Sequence, residues 1–340
     1  MTRTRRGAAL IAGALAAALL LAGCGASEPD TNNTDPSSGD NTSGDAFPVT
    51  VDTFYGPITL DQKPERIVAL DIRYLEPLLE LGEEPIAYTL PQRDGSTDAL
   101  EQVPWLDGLV DPTKLDNTLL EEYAPVLETI AAHKPDLIIG VAAEWQISEE
   151  LNEQLSLIAP TYTTSDLNWE IPLRDLGSLT GKSDEAEEAI ADFEEKLVSA
   201  RERLSGMQGA SFIRASSFEP GTFVLSEGTS LLSDIGLTVD EELLGGETMR
   251  SLSMENLDQL ASDVIFFNLS YAEHGDRNSE SREDLEADPR FGSLPAVVNG
   301  TVLWGNSVMI NADGAGTLGL SWEIEQIVSQ LESSALNTAG

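Results

Sequence analysis

The sequence contains little of several residue types that many functions require. Its 340 residues include one cysteine, two histidines, and 19 lysines and arginines against 59 aspartates and glutamates. A single cysteine cannot form a disulfide within the chain, so the fold is not built on a cystine framework. The formal net charge of -40 argues against nucleic acid as a partner, because a phosphate backbone is bound through lysine and arginine patches.

Motifs of catalysis and long apolar runs are also missing. The sequence has no glycine-rich phosphate loop, no Gly-x-Ser-x-Gly elbow and no acid-rich metal triad with helical spacing, so we expect neither an enzyme nor a metal site. The apolar run at residues 8–22 is shorter than the roughly 20 residues of a transmembrane helix. Three arginines precede it, and small residues end it, which is typical of a secretory signal peptide.

The end of this run, residues 21–24 (LAGC), resembles the lipobox of bacterial lipoproteins. The resemblance implies that residues 1–23 are a signal peptide and that Cys24 becomes the acylated N-terminus. Two acyl chains attach a protein to a membrane stably, whereas one is marginal. Residues 24–46 are polar and acidic without apolar periodicity, which predicts a flexible linker. We therefore expect a lipid-anchored protein on the extracytoplasmic face of the cell membrane.

From Phe47 onward, short apolar runs alternate with amphipathic stretches. This alternation predicts an α/β fold with mainly parallel sheets. The predicted strands are residues 67–70, 85–88, 137–141, 161–164, 210–215, 222–225, 264–268 and 301–305. The predicted helices are residues 74–81, 117–132, 149–158, 183–204, 230–236 and 315–332.

The helix predicted at residues 183–204 is the longest, and Ser183 or Asp184 is its expected N-cap. At 1.5 Å per residue it would be about 33 Å long, the breadth of a small domain. That length suits a strut between two lobes. We therefore divide the body into an N-terminal lobe at residues 47–181, an interlobe helix at 182–205 and a C-terminal lobe at 206–340.

Five segments give this body a family resemblance. They are residues 64–70 (PERIVAL), 134–140 (KPDLIIG), 158–160 (IAP), 252–257 (LSMENL) and 294–297 (LPAV). In this order the chain resembles the substrate-binding proteins of ABC importers for iron-siderophores, haem and cobalamin. The resemblance implies two three-layer α/β lobes joined by a single long helix, the class III periplasmic-binding-protein arrangement.

The same resemblance implies a function. We expect a monomer, without a cofactor, that captures a ferric siderophore in the interlobe cleft and delivers it to an ABC permease of two membrane subunits with its ATPase. Haem and cobalamin are alternatives within the family. A hydrolase of the siderophore ester is the alternative from another class.

Ligand-binding residues of the family lie where strands end at the cleft, and eight positions here match. Each also has a structural alternative, such as a core side chain or a charge at a helix end. The candidates are Arg73, Tyr74, Trp145, Trp169, Arg214, Arg250, Tyr271 and Trp304. His133 is expected to stabilise a helix C-terminus and His274 to be solvated, so neither is a candidate haem ligand.

The candidates also bear on the class of siderophore. Relatives that bind catecholates often present three arginines to the trianionic chelate. Arg73, Arg214 and Arg250 are the arginines available here, and two of them fit well. A site with few cations and several aromatic residues favours a hydroxamate or mixed-type complex, because aromatic rings could cover the apolar backbone of such a ligand.

Three glutamates match positions at which relatives dock on their permease. Glu255 stands two residues after Ser253, as in the second-lobe docking segment of those relatives. In the first lobe, Glu149 or Glu150 follows the Trp145 loop at a predicted helix start, and the spacing slightly favours Glu150. Acids in a first helical turn are favourable without any partner, which is the structural alternative.

Overall fold

The computed structural model describes residues 47–90, 99–165, 168–219, 221–228, 230–269, 281–305 and 316–338. Cys24, Tyr271 and His274 lie outside these residues, as do the predicted signal peptide and the whole of the predicted linker. Among the helices of the described ranges, none combines the length and apolar character needed to cross a bilayer.

The N-terminal lobe is built on a parallel sheet. Its elements are β1 Val49–Val51, β2 Ile58–Leu60, β3 Ile67–Ala69, α1 Ile72–Glu80, β4 Ala87–Tyr88, β5 Leu120–Glu121, β6 Ala124–Pro125, α2 Leu127–His133, β7 Leu137–Val141, α3 Glu149–Ser156, β8 Thr161–Thr164 and α4 Glu170–Thr180. The sheet order is β4-β3-β7-β8, and every pair in it is parallel. Along β7, Leu137 and Ile139 enter one apolar cluster and Ile138 enters another. Helices therefore cover both faces, which gives three layers.

The C-terminal lobe is built on a second, mixed sheet. Its elements are β9 Ser211–Glu219, β10 Thr222–Ser226, α6 Ser230–Asp234, β11 Thr238–Val239, α7 Glu241–Leu244, β12 Met249–Ser253, β13 Val264–Asn268, α8 Arg282–Ala287, α9 Pro295–Asn299, β14 Val302–Gly305, α10 Thr317–Leu331 and α11 Ala335–Thr338. The order is β12-β10-β9-β13-β14, and β11 pairs with β9. Strands β10 and β12 are antiparallel to their neighbours, and the other pairs are parallel. Phe212 and Ile213 enter different clusters, so this lobe also has three layers.

A single helix of 21 residues, α5 (Ser183–Arg203), joins the lobes. Ala186 and Ile190 pack into the N-terminal core, whereas Phe193 and Leu197 pack into the C-terminal core. The buried face of α5 thus packs first into the N-terminal core and then into the C-terminal core. Two three-layer lobes joined by one long helix confirm the predicted fold class. The N-cap is Lys182, without a capping side chain, so the predicted cap at Ser183 or Asp184 was wrong.

Residues 117–132 are not the helix that the sequence predicted. They form a 3-10 turn at Asn117–Leu119, the antiparallel pair β5–β6, and only then the start of α2. Asp116 caps the 3-10 turn by accepting from the amide of Thr118 at 3.0 Å. Pro125 pairs opposite Leu120, and a proline in a helix interior would remove a backbone hydrogen bond. Local side-chain chemistry thus prevailed over the apolar periodicity.

Helix α10 makes a second junction between the lobes. The fully buried carboxylate of Glu76, on α1, accepts hydrogen bonds from the Gly319 amide of α10 at 2.9 Å and from the Trp105 indole at 2.6 Å. Trp105 also packs against Trp322 of α10, with ring centroids 5.5 Å apart. Lys196 of α5 donates to Ser321 at 3.0 Å. The closing helix, predicted within the C-terminal lobe alone, therefore also contacts the N-terminal lobe.

Candidate functional site

The carboxyl ends of the parallel strands in the N-terminal lobe meet at one edge, where α/β folds bind ligands. Asp71 follows β3 at this edge and begins α1. Its carboxylate accepts from the backbone amide of Arg73 at 3.0 Å and from Arg73 Nε and Nη2 at 2.8 and 3.1 Å. Burial alone would lower the pKa of Arg73, but the hydrogen bonds and charge of Asp71 outweigh it and raise the pKa. Arg73 is therefore a fixed cation.

Trp145 lies in the turn that follows β7, and its side chain is 51% exposed. The buried amide of Gln146 holds this turn, because Oε1 accepts from Val141 N at 2.6 Å and Nε2 donates to Leu70 O at 3.1 Å. A Cβ at Gly140 would lie 2.5 Å from the Ile147 side chain, so a larger residue there would force Ile147 to move. The backbone of the turn is thus held, while the Trp145 ring is open to solvent.

The structure brings Arg73 and Trp145 together, as their placement after neighbouring strands suggests. The guanidinium carbon of Arg73 lies 5.8 Å from the centroid of the Trp145 ring. A third residue, Tyr123, stands edge-on to the same ring at 6.2 Å. Tyr123 was not among the predicted residues, since the sequence placed it inside a helix. We call Arg73, Tyr123 and Trp145 the rim cluster.

Tyr74 and Trp169, the other two candidate residues of this lobe, pack against core side chains. The Tyr74 side chain is 2% exposed, its hydroxyl donates to Thr164 O at 2.8 Å, and its ring packs against Tyr162. Burial raises the pKa of its phenol. Trp169 packs edge-on against Phe193 of α5 at 4.7 Å and touches the cores of both lobes. The burial of Tyr74 leaves its ring no surface for a ligand. Trp169 is only partly buried, and its contact with a ligand stays a prediction.

In the C-terminal lobe, Arg214 lies within β9 and not at its end as predicted, since β9 continues to Glu219. Its guanidinium carbon lies 5.5 Å from the Phe266 ring centroid. The nearby edge is marked by Ser216, which pairs with Asn268 at the end of β13. Arg214 is half-buried two residues before that edge and stays a candidate.

Arg250 and Trp304 contact other side chains of the C-terminal lobe. Arg250 Nη1 donates to Leu243 O at 2.6 Å, and Nη2 reaches Gln259 at 3.4 Å. The Trp304 ring stacks on Phe267 at 5.4 Å, and Arg282 covers it at 4.6 Å. Both side chains thus have local partners and are partly buried, and their contact with a ligand stays a prediction. Tyr271 lies outside the described residues.

The two histidines and possible metal-binding groups are considered next to the candidate ligand residues. His133 lies in the last turn of α2, and its Nε2 pairs with Asp116 at 2.9 Å. His274 falls outside the described residues. In the part of the chain that the structure describes, no group of histidine, cysteine and acidic side chains is arranged to hold a metal ion.

The three predicted docking glutamates are all exposed. Glu149 and Glu150 occupy the first turn of α3, whose N-cap is Ser148. Glu255 begins the 3-10 helix Met254–Gln259 after β12, and its carbonyl accepts from Arg290 Nη1 at 2.5 Å. Their backbones are thus fixed while their carboxylates face solvent.

Comparisons with known proteins agree with this architecture. The family model described as periplasmic binding protein matches residues 67–307. The "Probable siderophore-binding lipoprotein YfiY" of Bacillus subtilis (strain 168) is 27% identical over 298 residues, which cover 84% of this chain and 86% of that protein. Staphylococcus aureus SirA complexed with staphyloferrin B has a TM-score of 0.66 at 20% identity, covering 83% of this chain and 98% of that chain. The triscatecholate siderophore binding protein FeuA from Bacillus subtilis, complexed with ferri-bacillibactin, has a TM-score of 0.61 at 20% identity, covering 85% and 99%. At these identities the two structures show the fold alone.

Proposed function

The chain belongs to the periplasmic binding protein family, and from this premise we propose that it captures a ferric siderophore outside the cytoplasmic membrane and delivers it to an ABC importer. The name of the YfiY relative describes siderophore binding by a lipoprotein. That relative supports the substrate class.

The observation that carries the proposal is the pairing of a fixed cation with an open aromatic ring at the strand edge. Asp71 uses two of the five N–H groups of Arg73, and the remaining donors suit the oxygens of an iron chelate. The open ring of Trp145 suits the apolar backbone of the ligand. A ferric siderophore presents both kinds of surface.

The charges of the site favour a hydroxamate or mixed-type complex. Of the three arginines considered, Arg250 is engaged with Leu243 and Gln259, and Arg214 lies half-buried beside Phe266. Arg73 is itself neutralised in part by Asp71. A trianionic catecholate complex would meet three arginines at most, in a chain whose formal net charge is -40, whereas a neutral complex would meet no such repulsion.

The remaining parts of the proposal concern assembly. A lipid anchor on Cys24 would hold the monomer at the extracytoplasmic face of the cell membrane. Glu255 and either Glu149 or Glu150 would meet the two membrane subunits of the permease. Their exposure on separate lobes supports docking at two points.

Titration of intrinsic tryptophan fluorescence tests the substrate class. The panel contains ferrioxamine B, ferrichrome, ferric enterobactin, haem and cobalamin, each added to the soluble body without its N-terminal segment. We expect saturable quenching at one site, tightest for a hydroxamate complex. Tighter binding of ferric enterobactin would overturn the charge argument, and tighter binding of haem or cobalamin would overturn the siderophore assignment.

A further inference from the structure

The turn between β5 and β6 has an unusual backbone. Leu120 pairs with Pro125 and Glu121 with Ala124, which leaves Glu122 and Tyr123 as the two central residues of a tight hairpin. Their φ angles are +48° and +74°. Such turns favour Asn-Gly, because residues with a Cβ are strained there by about 1–2 kcal/mol each.

Packing does not explain this strain. Both central residues are exposed, and the Tyr123 side chain is 65% exposed. Lys134 is the other non-glycine residue with positive φ in the described ranges, and it ends α2 in the left-handed conformation common at helix C-termini. An edge-to-face aromatic pair contributes about 0.5–1.5 kcal/mol, so the contact of Tyr123 with Trp145 offsets the strain only in part.

The base of the hairpin is firmly held while its tip is open. Val126 N donates to Leu119 O at 2.8 Å, and Leu119 is fully buried. Asp116, just before the hairpin, binds Thr118 Oγ1 at 2.6 Å and His133 Nε2 at 2.9 Å. A rigid base and a left-handed tip fix the direction of the Tyr123 side chain, which stands beside Trp145.

From this geometry we infer that Tyr123 is a ligand-contacting residue of the rim cluster, packing with Trp145 against the apolar part of a ferric siderophore. The inference rests on the proposed function. Strain retained at a solvent-exposed position is typical of sites where the backbone serves binding. The Trp145 ring contacts both Tyr123 and Arg73. Arg73 supplies the polar end of the surface that the three side chains form.

Matched substitutions in the turn test this inference. Asparagine adopts positive φ readily, so Tyr123→Asn and Glu122→Asn should both raise or preserve the melting temperature. Tyr123→Asn should weaken binding of the tightest panel ligand about 2- to 13-fold, the range that corresponds to one aromatic contact. Glu122→Asn and Tyr123→Phe should bind within about 2-fold of the wild type, since both keep the ring.

The outcomes separate this inference from the function on which it rests. If Tyr123→Asn binds as tightly as Glu122→Asn while Trp145→Ala is weakened, Tyr123 is outside the site and the proposed function stands. Equal loss of affinity in Glu122→Asn would assign the effect to the turn and overturn the role of the ring. If no ligand of the panel binds the wild type, both proposals fail together.

Discussion

Asp71 fixes Arg73 beside Trp145. The carboxylate holds the guanidinium through two hydrogen bonds and also caps α1. A pre-positioned cation loses little side-chain freedom when a ligand binds. The binding energy of the site should therefore be concentrated in a few side chains.

Substitution of the two predicted members of the rim cluster should weaken binding. We expect Arg73→Gln and Trp145→Ala each to lower the affinity for the ferric siderophore about 2- to 30-fold, since a cation or ring contact of this kind contributes about 0.5–2 kcal/mol. Fluorescence titration measures the loss, and Trp145→Ala is followed through the remaining tryptophans.

Tyr74→Phe is the matched control for these variants. It removes only the hydroxyl that donates to Thr164 O, so it should lower the free energy of unfolding by about 1 kcal/mol and leave affinity unchanged. If Tyr74→Phe weakens binding while Arg73→Gln and Trp145→Ala do not, the site has been placed wrongly.

The sequence alone could separate exposed from buried candidates at some of these positions and not at others. Trp145 stands among polar neighbours in a loop, and its exposure could be predicted. Tyr74 and Arg73 are adjacent in one helical turn, and the direction of each side chain depends on which face of α1 meets Tyr162. Arg250 and Trp304 have partners at Gln259 and Arg282 that only the folded chain brings near.

Among the elements, the central buried strands were predictable, whereas the shorter or edge strands β1, β2, β5, β6, β11 and β12 were not predicted. Strands β7 and β13 have the predicted bounds because short apolar runs buried on both faces leave few alternatives. Strand β8 also has them, since its threonines and tyrosine favour strand structure. The hairpin β5–β6 was not predicted, because strands of two residues are too short to show an alternation of apolar and polar residues. The contact of α1 with α10 links residues 243 positions apart, which no local pattern indicates.

That contact should make stability depend on pH. Burial raises the pKa of Glu76 to about 8, with a further contribution from Glu80, although the hydrogen bonds from Gly319 and Trp105 oppose the rise. Burial also raises the pKa of Glu80, which faces Thr317, Lys196 and Asp192. A carboxyl with a raised pKa in the folded state stabilises the fold fully below its unfolded value of 4.5. That stabilisation is lost as the pH rises toward about 8.

Glu76→Gln should therefore flatten the pH dependence. We expect the wild type to lose a few kcal/mol of unfolding free energy between pH 5 and pH 8.5, and Glu76→Gln to lose clearly less over the same interval. Urea denaturation of the ligand-free protein measures both. Exposed Glu195 on α5 provides the control, and a Glu76→Gln slope equal to that of Glu195→Gln would contradict the assignment.

At the scale of the whole molecule, two connections restrict the lobes. Helix α5 contributes to both cores, and α10 contacts α1 and Trp105 as well as its own lobe. A single continuous helix bends less readily than paired strands, and the second junction adds to this. We therefore infer that ligand binding closes the lobes only slightly.

Recognition by the permease should then depend on surface charge more than on closure. We expect Glu150→Lys and Glu255→Lys to leave siderophore affinity intact and to abolish uptake of labelled iron, because docking at two points loses more than one local contact when either fails. Glu149→Lys tests the alternative acid in the same turn. Glu153→Lys, exposed one turn later on α3, is the charge-matched control, and normal import by both main variants would contradict docking.

Membrane attachment should depend on Cys24. Without the thiol no diacylglycerol can be attached, so Cys24→Ala should release the protein or leave it as an unprocessed precursor. Detergent-phase partitioning and the mass of the mature chain measure the result. A processed Cys24→Ala protein that still enters the detergent phase would show that the anchor lies elsewhere.

We expect a ferric siderophore to bind at the rim cluster. Anomalous diffraction at the iron edge, from crystals of the complex with the tightest panel ligand, locates the metal without reference to any assumed pose. We expect one iron position per chain, with the siderophore in van der Waals contact with Trp145 and hydrogen-bonded to Arg73. An iron position from which the ligand reaches neither residue would contradict this expectation.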